Sequence, residues 1–69
     1  MKGYPKTEYA VEINNDKGFV RQIDVFETYE EAERFTNNYD GLLLGDDYLN
    51  IIFIDYDEDG DEIGFGSVV

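Results

Sequence analysis

Thr28-Tyr29-Glu30-Glu31-Ala32-Glu33-Arg34-Phe35-Thr36-Asn37-Asn38-Tyr39 is the stretch where the apolar spacing leaves a strand-like period of two for a helical one. Tyr29, Ala32, Phe35, Thr36 and Tyr39 fall on one helical stripe. Thr28 is placed to accept a hydrogen bond from the N–H of Glu31, and Glu31 to reach back, as in a capping box. Glu30, Glu31 and Glu33 crowd the first turns, where the helix dipole favours carboxylates. Asn37-Asn38-Tyr39-Asp40-Gly41 reads as a stop signal, so a helix is predicted over residues 29–39.

On the N-terminal side, Tyr9, Val11 and Ile13 alternate with Ala10 and Glu12, the period of a strand. Asn14-Asn15-Asp16-Lys17-Gly18 predicts a hairpin loop of about three to five residues. The next strand runs from Phe19 to Glu27, with Phe19, Ile23 and Val25 on one face and Val20, Gln22, Asp24 and Phe26 on the other.

On the C-terminal side, Leu42-Leu43-Leu44-Gly45-Asp46-Asp47 is a connection whose leucines are expected to fold back under the helix, since a domain this small needs apolar cover. Residues 49–56 form the most apolar strand, hence a central one. Asp59-Gly60 signals a hairpin turn. A two-residue loop pairs Glu58 with Asp61, Asp57 with Glu62 and Tyr56 with Ile63, placing Ile52, Ile54 and Tyr56 on a face with Ile63 and Phe65; a three-residue loop ending at Gly60 shifts the pairing by one. Residues 63–69 complete the set, with Gly64 and Gly66 suiting an edge strand.

The predicted fold class is α+β with element order ββαββ. A single four-stranded antiparallel sheet carries the helix on one face, and order 2-1-3-4 keeps every neighbour antiparallel. Residues 1–69 make one domain, with 1–7 as a flexible N-terminus.

Composition excludes much of the remaining chemistry. The chain has 69 residues, 17 acidic and 5 basic, for a net charge of −12, and neither His nor Cys. It therefore has no disulfide, no thiolate nucleophile and no imidazole base or ligand. Direct nucleic-acid binding needs Lys and Arg at phosphates and is disfavoured. The hydrophobic fraction of 42%, with 5 Phe and 6 Tyr, argues against disorder. No apolar run approaches a membrane span and no signal-peptide core is visible, so a cytoplasmic protein is expected. No glycine-rich phosphate loop is present, and a single-helix domain leaves little room for a catalytic pocket, so no catalytic residue and no cofactor are assigned.

The charge is unevenly placed. Residues 35–69 hold nine acids and no base. Asp55, Asp57, Glu58, Asp59, Asp61 and Glu62 crowd around Tyr56, with Asp46 and Asp47 upstream. Asp55, Asp57, Asp59 and Gly60 match positions 1, 3, 5 and 6 of an EF-hand loop, but position 12 falls on Gly66 and the flanks read as strands. No metal is assigned, and a calcium-binding hairpin stays as an alternative. An acidic turn that only aids solubility accounts for a smaller charge more easily, because like charges opposed across a hairpin destabilise it. The remaining reading is a surface for a basic partner: Asp46, Asp47, Asp55, Tyr56, Asp57, Glu58, Asp59, Asp61 and Glu62 as contact residues, with Tyr48, Phe53, Tyr56 and Phe65 as candidate aromatic anchors.

In size, in its −12 charge, in lacking Cys and His, and in the hairpin Asp55-Tyr56-Asp57-Glu58-Asp59-Gly60-Asp61-Glu62, the chain resembles the small acidic inhibitors of bacteriophages and mobile elements. These include anti-CRISPR proteins, antirestriction proteins and uracil-DNA glycosylase inhibitors. The resemblance implies a non-catalytic DNA or RNA mimic, foremost an inhibitor of an RNA-guided nuclease, whose partner is a basic nucleic-acid-binding protein. A small adaptor using Leu42, Leu43 and Leu44 as an adhesive patch is the other alternative.

Overall fold

Antiparallel pairing on both sides of the first strand organises the chain. In the computed structural model, which describes residues 3–41 and 43–68, β1 (Lys6–Asn15) lies between β2 (Gly18–Phe26) and β3 (Tyr48–Tyr56). β4 (Glu62–Ser67) pairs with the far side of β3, and α1 (Tyr29–Asn37) connects β2 to β3. The sheet order β2-β1-β3-β4 is the one expected, fully antiparallel, with β3 inside it.

The helix begins where its cap dictates. The Glu31 N–H donates to Thr28 Oγ1 at 3.2 Å, and Thr28 Oγ1 donates to Glu31 Oε1 at 3.0 Å. The Glu31 carboxylate thus returns to the cap hydroxyl, a variant of the reciprocal cap. Asn38 ends the helix, its Nδ2 donating to the Arg34 carbonyl at 2.9 Å, so α1 stops two residues short of the predicted span.

One face of α1 closes the core. Val11, Ala32 and Ile51 are buried together, with Tyr9, Ile23, Phe26, Tyr29, Phe35 and Leu49 packed around them. The register pairs Val11 with Ile51 and Tyr9 with Phe53, so β1 and β3 send alternate residues to the helix. Gly66, opposite Phe53 on β4, leaves room for that ring: a Cβ there would stand 3.1 Å from it.

Four expectations are corrected. The β1–β2 loop is shorter than predicted: Asn15 pairs with Gly18, leaving Asp16 and Lys17 as a two-residue turn. The simple alternation along β2 fails because register shifts at Val11/Glu12 and Ile13/Asn14 insert Ile23 and Val20. A bulge turns an extra side chain without advancing the partner, so Ile23 and Phe26 both reach the helix side. β1 begins earlier than expected, since Lys6 pairs with Tyr56 and Thr7 with Asp55; Met1 and Lys2 of the supposed flexible segment lie outside the described residues. Finally, Leu43 and Leu44 are exposed and do not fold under the helix, where Phe26, Tyr29, Phe35 and Leu49 already fill the space; Leu42 lies outside the described residues, as does Val69.

The cap gives a stability test. Thr28→Ala removes the acceptor for the Glu31 N–H and should destabilise the domain by about 1 kcal/mol. In a domain this size that lowers Tm by about 4–8 °C, measurable by circular dichroism, with Thr28→Ser retaining most of the stability.

Candidate partner-binding surface

The β3–β4 turn reconciles the two registers left open by the sequence. At the tip, the Asp57 N–H donates to the Asp61 carbonyl at 2.9 Å and the Gly60 N–H to the Asp57 carbonyl at 3.0 Å. Glu58, Asp59 and Gly60 therefore form a three-residue loop, and Gly60 supplies the positive φ of +85° that such a loop needs. Tyr56 pairs with Glu62, but Asp55 pairs with Gly64. A bulge at Ile63 thus restores, along the rest of the hairpin, the register that a two-residue loop would have given.

The acids at this end differ in role. Asp57 Oδ1 accepts from the N–H groups of Asp59 at 2.9 Å and Asp61 at 3.0 Å, so its half-buried carboxylate ties the loop together. This explains how the turn tolerates the carboxylate pairing that the sequence flags as repulsive: one of the opposed acids is used as a backbone acceptor. Asp55 is also half-buried and accepts from Thr7 Oγ1 at 2.6 Å. Glu58, Asp59, Asp61 and Glu62 are exposed. Asp57, Asp59 and Asp61 each bring one carboxylate oxygen within 4.8 Å of the others. The spacing that gathers carboxylates is thus 57, 59 and 61, without the Asp55 that begins the EF-hand pattern.

Asp46 and Asp47 are not part of this cluster. Asp47 precedes β3 and Asp57 follows it, so the length of a nine-residue strand, roughly 30 Å, separates them. At that opposite end Asp47 Oδ1 accepts from Asn15 Nδ2 at 3.2 Å, joining the β3 entry to the β1–β2 turn. The predicted contact residues therefore form two acidic ends on an elongated body of 41 × 24 × 17 Å.

The candidate aromatics also separate. Phe53 points to the helix side against Gly66, whereas Phe65 is 71% exposed and Tyr48 52% exposed. Tyr56 lies half-buried beside Tyr4, ring centroids 5.8 Å apart and edge-on. Lys6 Nζ sits 5.0 Å from the Tyr4 ring centroid and 3.2 Å from Glu8 Oε2, so this cation, opposite Tyr56 near the tip, is already paired. Its hydrogen bond to Glu8 raises the Lys6 pKa. Desolvation raises the Tyr56 phenol above its ordinary value, reinforced by a hydrogen bond to the Glu8 carboxylate.

Sequence reasoning placed Ile52, Ile54 and Tyr56 on one face with Phe65, as the register bears out, but it missed that this face is turned away from the helix; Ile63, expected opposite Tyr56, falls in the bulge and Glu62 takes its place. Register places Ala10, Val25, Ile52, Ile54 and Phe65 there, apolar residues on a face with no helix over it. The signal was present in the sequence: β3 is apolar at both odd and even positions, while the chain offers one helix to cover it.

No protein family, curated protein or solved structure matches the chain. No helix of the described residues is long and apolar enough to cross a membrane.

Two measurements follow from this geometry. Asp57→Ala deletes the acceptor of two N–H groups and should cost about 1 kcal/mol in chemical denaturation, whereas Asp57→Asn keeps an oxygen in place and should cost less. Asp59→Asn and Asp61→Asn leave those backbone donors intact and should hold or raise stability at low salt. For Tyr56, a raised folded pKa means that its contribution is complete below the ordinary tyrosine value of about 10 and is lost as pH climbs through the higher folded value. Tyr56→Phe should flatten that alkaline loss in denaturant melts.

Proposed function

We propose that this chain is a non-catalytic inhibitor that occupies the basic nucleic-acid-binding surface of a target protein as a DNA or RNA mimic. The target class put first is an RNA-guided nuclease, met in the cytoplasm of a bacterial host. The observation that carries the reading is the exposed acidic end: Glu58, Asp59, Asp61 and Glu62 project from a turn that Asp57 holds closed with its own carboxylate. A net charge of −12 on so small a body adds long-range attraction to any cationic groove. Duplex DNA carries one negative charge per roughly 1.7 Å, and a surface that competes for the same groove must also present closely spaced anions. The second end, Asp46 and Asp47, gives a further anionic contact one strand length away.

A divalent-cation site at the tip is the other reading with an observation behind it, the 4.8 Å grouping of Asp57, Asp59 and Asp61. Calcium takes six to eight oxygens, and Asp57 already has one of its oxygens engaged by two N–H groups. The two readings part in a calorimetric titration at physiological ionic strength, where micromolar calcium binding with a folding change would displace the mimic.

The mimic is tested by displacement of labelled DNA from guide-loaded RNA-guided nucleases and from other basic DNA-binding enzymes. Displacement should weaken strongly between about 50 and 500 mM salt, because exposed charges are screened over ~10 Å at 0.1 M. The double variant Asp59→Lys/Asp61→Lys should fold at least as stably and inhibit far less. Simultaneous binding of DNA and this chain with unchanged affinities, or full inhibition by that variant, would overturn the reading.

A further inference from the structure

β3 carries large apolar side chains on both faces, and α1 covers one of them. Leu49, Ile51 and Phe53 alternate with Ile52, Ile54 and Tyr56. Through the register, Ile52 lies beside Ala10 and then Val25, while Ile54 lies beside Phe65. Ala10 is fully buried between its larger neighbours, Ile52 and Ile54 are half-buried, and Phe65 is 71% exposed. The apolar strip therefore crosses all four strands on the side opposite the helix.

Its border carries carboxylates among the neutral Gln22, Asn50 and Ser67. On the same face, Glu12 flanks the strip on one side, with Glu8 and Glu62 on the other. Lys6, the cation of that face among the described residues, is held by Glu8. An apolar centre inside an anionic border selects its occupant by charge. A second copy would set the same carboxylates against themselves, with −12 on each chain. An anionic lipid surface would repel them as well. A protein surface with an apolar centre framed by Lys and Arg satisfies both parts.

We propose that the helix-free face of the sheet, centred on Ile52, Ile54 and Phe65, is the surface that docks onto a basic protein partner, the acids guiding the approach and the apolar strip holding the complex. This rests on the reading of the chain as a ligand for a basic surface and specifies where on the molecule the contact lies. A body measuring 41 × 24 Å across its broad side has room for the roughly 800 Å² per partner of a specific interface. The contrast between the edges agrees: two bulges interrupt β2, whereas from Gly64 to Ser67 β4 runs in unbroken register beside the strip.

The test uses two synthetic peptides of equal positive charge, one alternating Lys with Leu and the other Lys with Ser, titrated into the full chain and followed by amide chemical shifts and calorimetry. The Lys-Leu peptide should bind about tenfold tighter or better, a difference of roughly 1.4 kcal/mol, with shifts centred on β3 and β4. Phe65→Ser should abolish the difference while leaving Lys-Ser binding unchanged, and Phe65→Leu should retain it. Both variants change an exposed side chain, and the amide spectrum reports their fold directly. Equal affinities for the two peptides, an unaltered preference in Phe65→Ser, or shifts confined to residues 57–62 would overturn the docking face while leaving the charge reading intact. Salt-insensitive binding of the Lys-Leu peptide alone would remove the charge reading and keep the face. Failure of both peptides to bind overturns both. Dimerisation of the wild-type chain in sedimentation, abolished by Phe65→Ser, would make the occupant a second copy and overturn the proposal.

Discussion

Val11 is where the sheet and the helix meet. It is fully buried, pairs with Ile51 across the β1–β3 ladder, and packs under Ala32 of α1. The small side chain at Ala32 lets the helix backbone come close to the sheet, and Tyr29 and Phe35 then close the flanks of that contact. Everything else is arranged around this constraint. A nine-residue helix has one apolar stripe, so it seals one face of four strands and leaves the other to solvent or a partner. The second face is apolar all the same, because β3 has no polar phase to turn outward along most of its length.

The charge distribution follows a different logic. The acids that hold the structure and the acids that face solvent are interleaved in the same eight residues. Asp55 and Asp57 bind a hydroxyl and two backbone N–H groups, whereas Glu58, Asp59, Asp61 and Glu62 are exposed. Neutralising the whole turn would confound the two roles. Substitutions at Asp59 and Asp61 separate them, since those residues donate to Asp57 through their backbones.

Most of the architecture was legible where one local signal had one physical meaning. Thr28 and Glu31 fixed the helix start, Asp59-Gly60 fixed the turn, and the antiparallel requirement across the helical crossover set the strand order. The β2 bulges were not legible, because a bulge depends on which N–H groups β1 offers and leaves the composition of β2 unchanged. The two-residue turn at Asp16 and Lys17 was hidden for a related reason: Asn14 and Asn15 read as loop residues, yet they end β1 with a half-buried Asn15 tied to Asp47. The acidic cluster was visible as charge, but not as two populations of carboxylates or as two ends of the molecule. The leucines after the helix were assigned by need for cover, and that cover came from aromatic residues on β2 and α1 instead.

The β1–β3 ladder also bears on how the chain finds its fold. Both hairpins join residues near in sequence, through turns of two and three residues. The ladder between β1 and β3 is different: it joins Asn14 to Tyr48 at its nearest and Lys6 to Tyr56 at its farthest. Closing it requires the intervening chain, helix included, to be gathered first, and the entropy of that closure is lost before Val11 and Ile51 come into contact. The core contact on which stability rests is thus among the most non-local in the molecule. The two hairpins close locally, and their meeting along β1 and β3 carries the larger loop-closure cost.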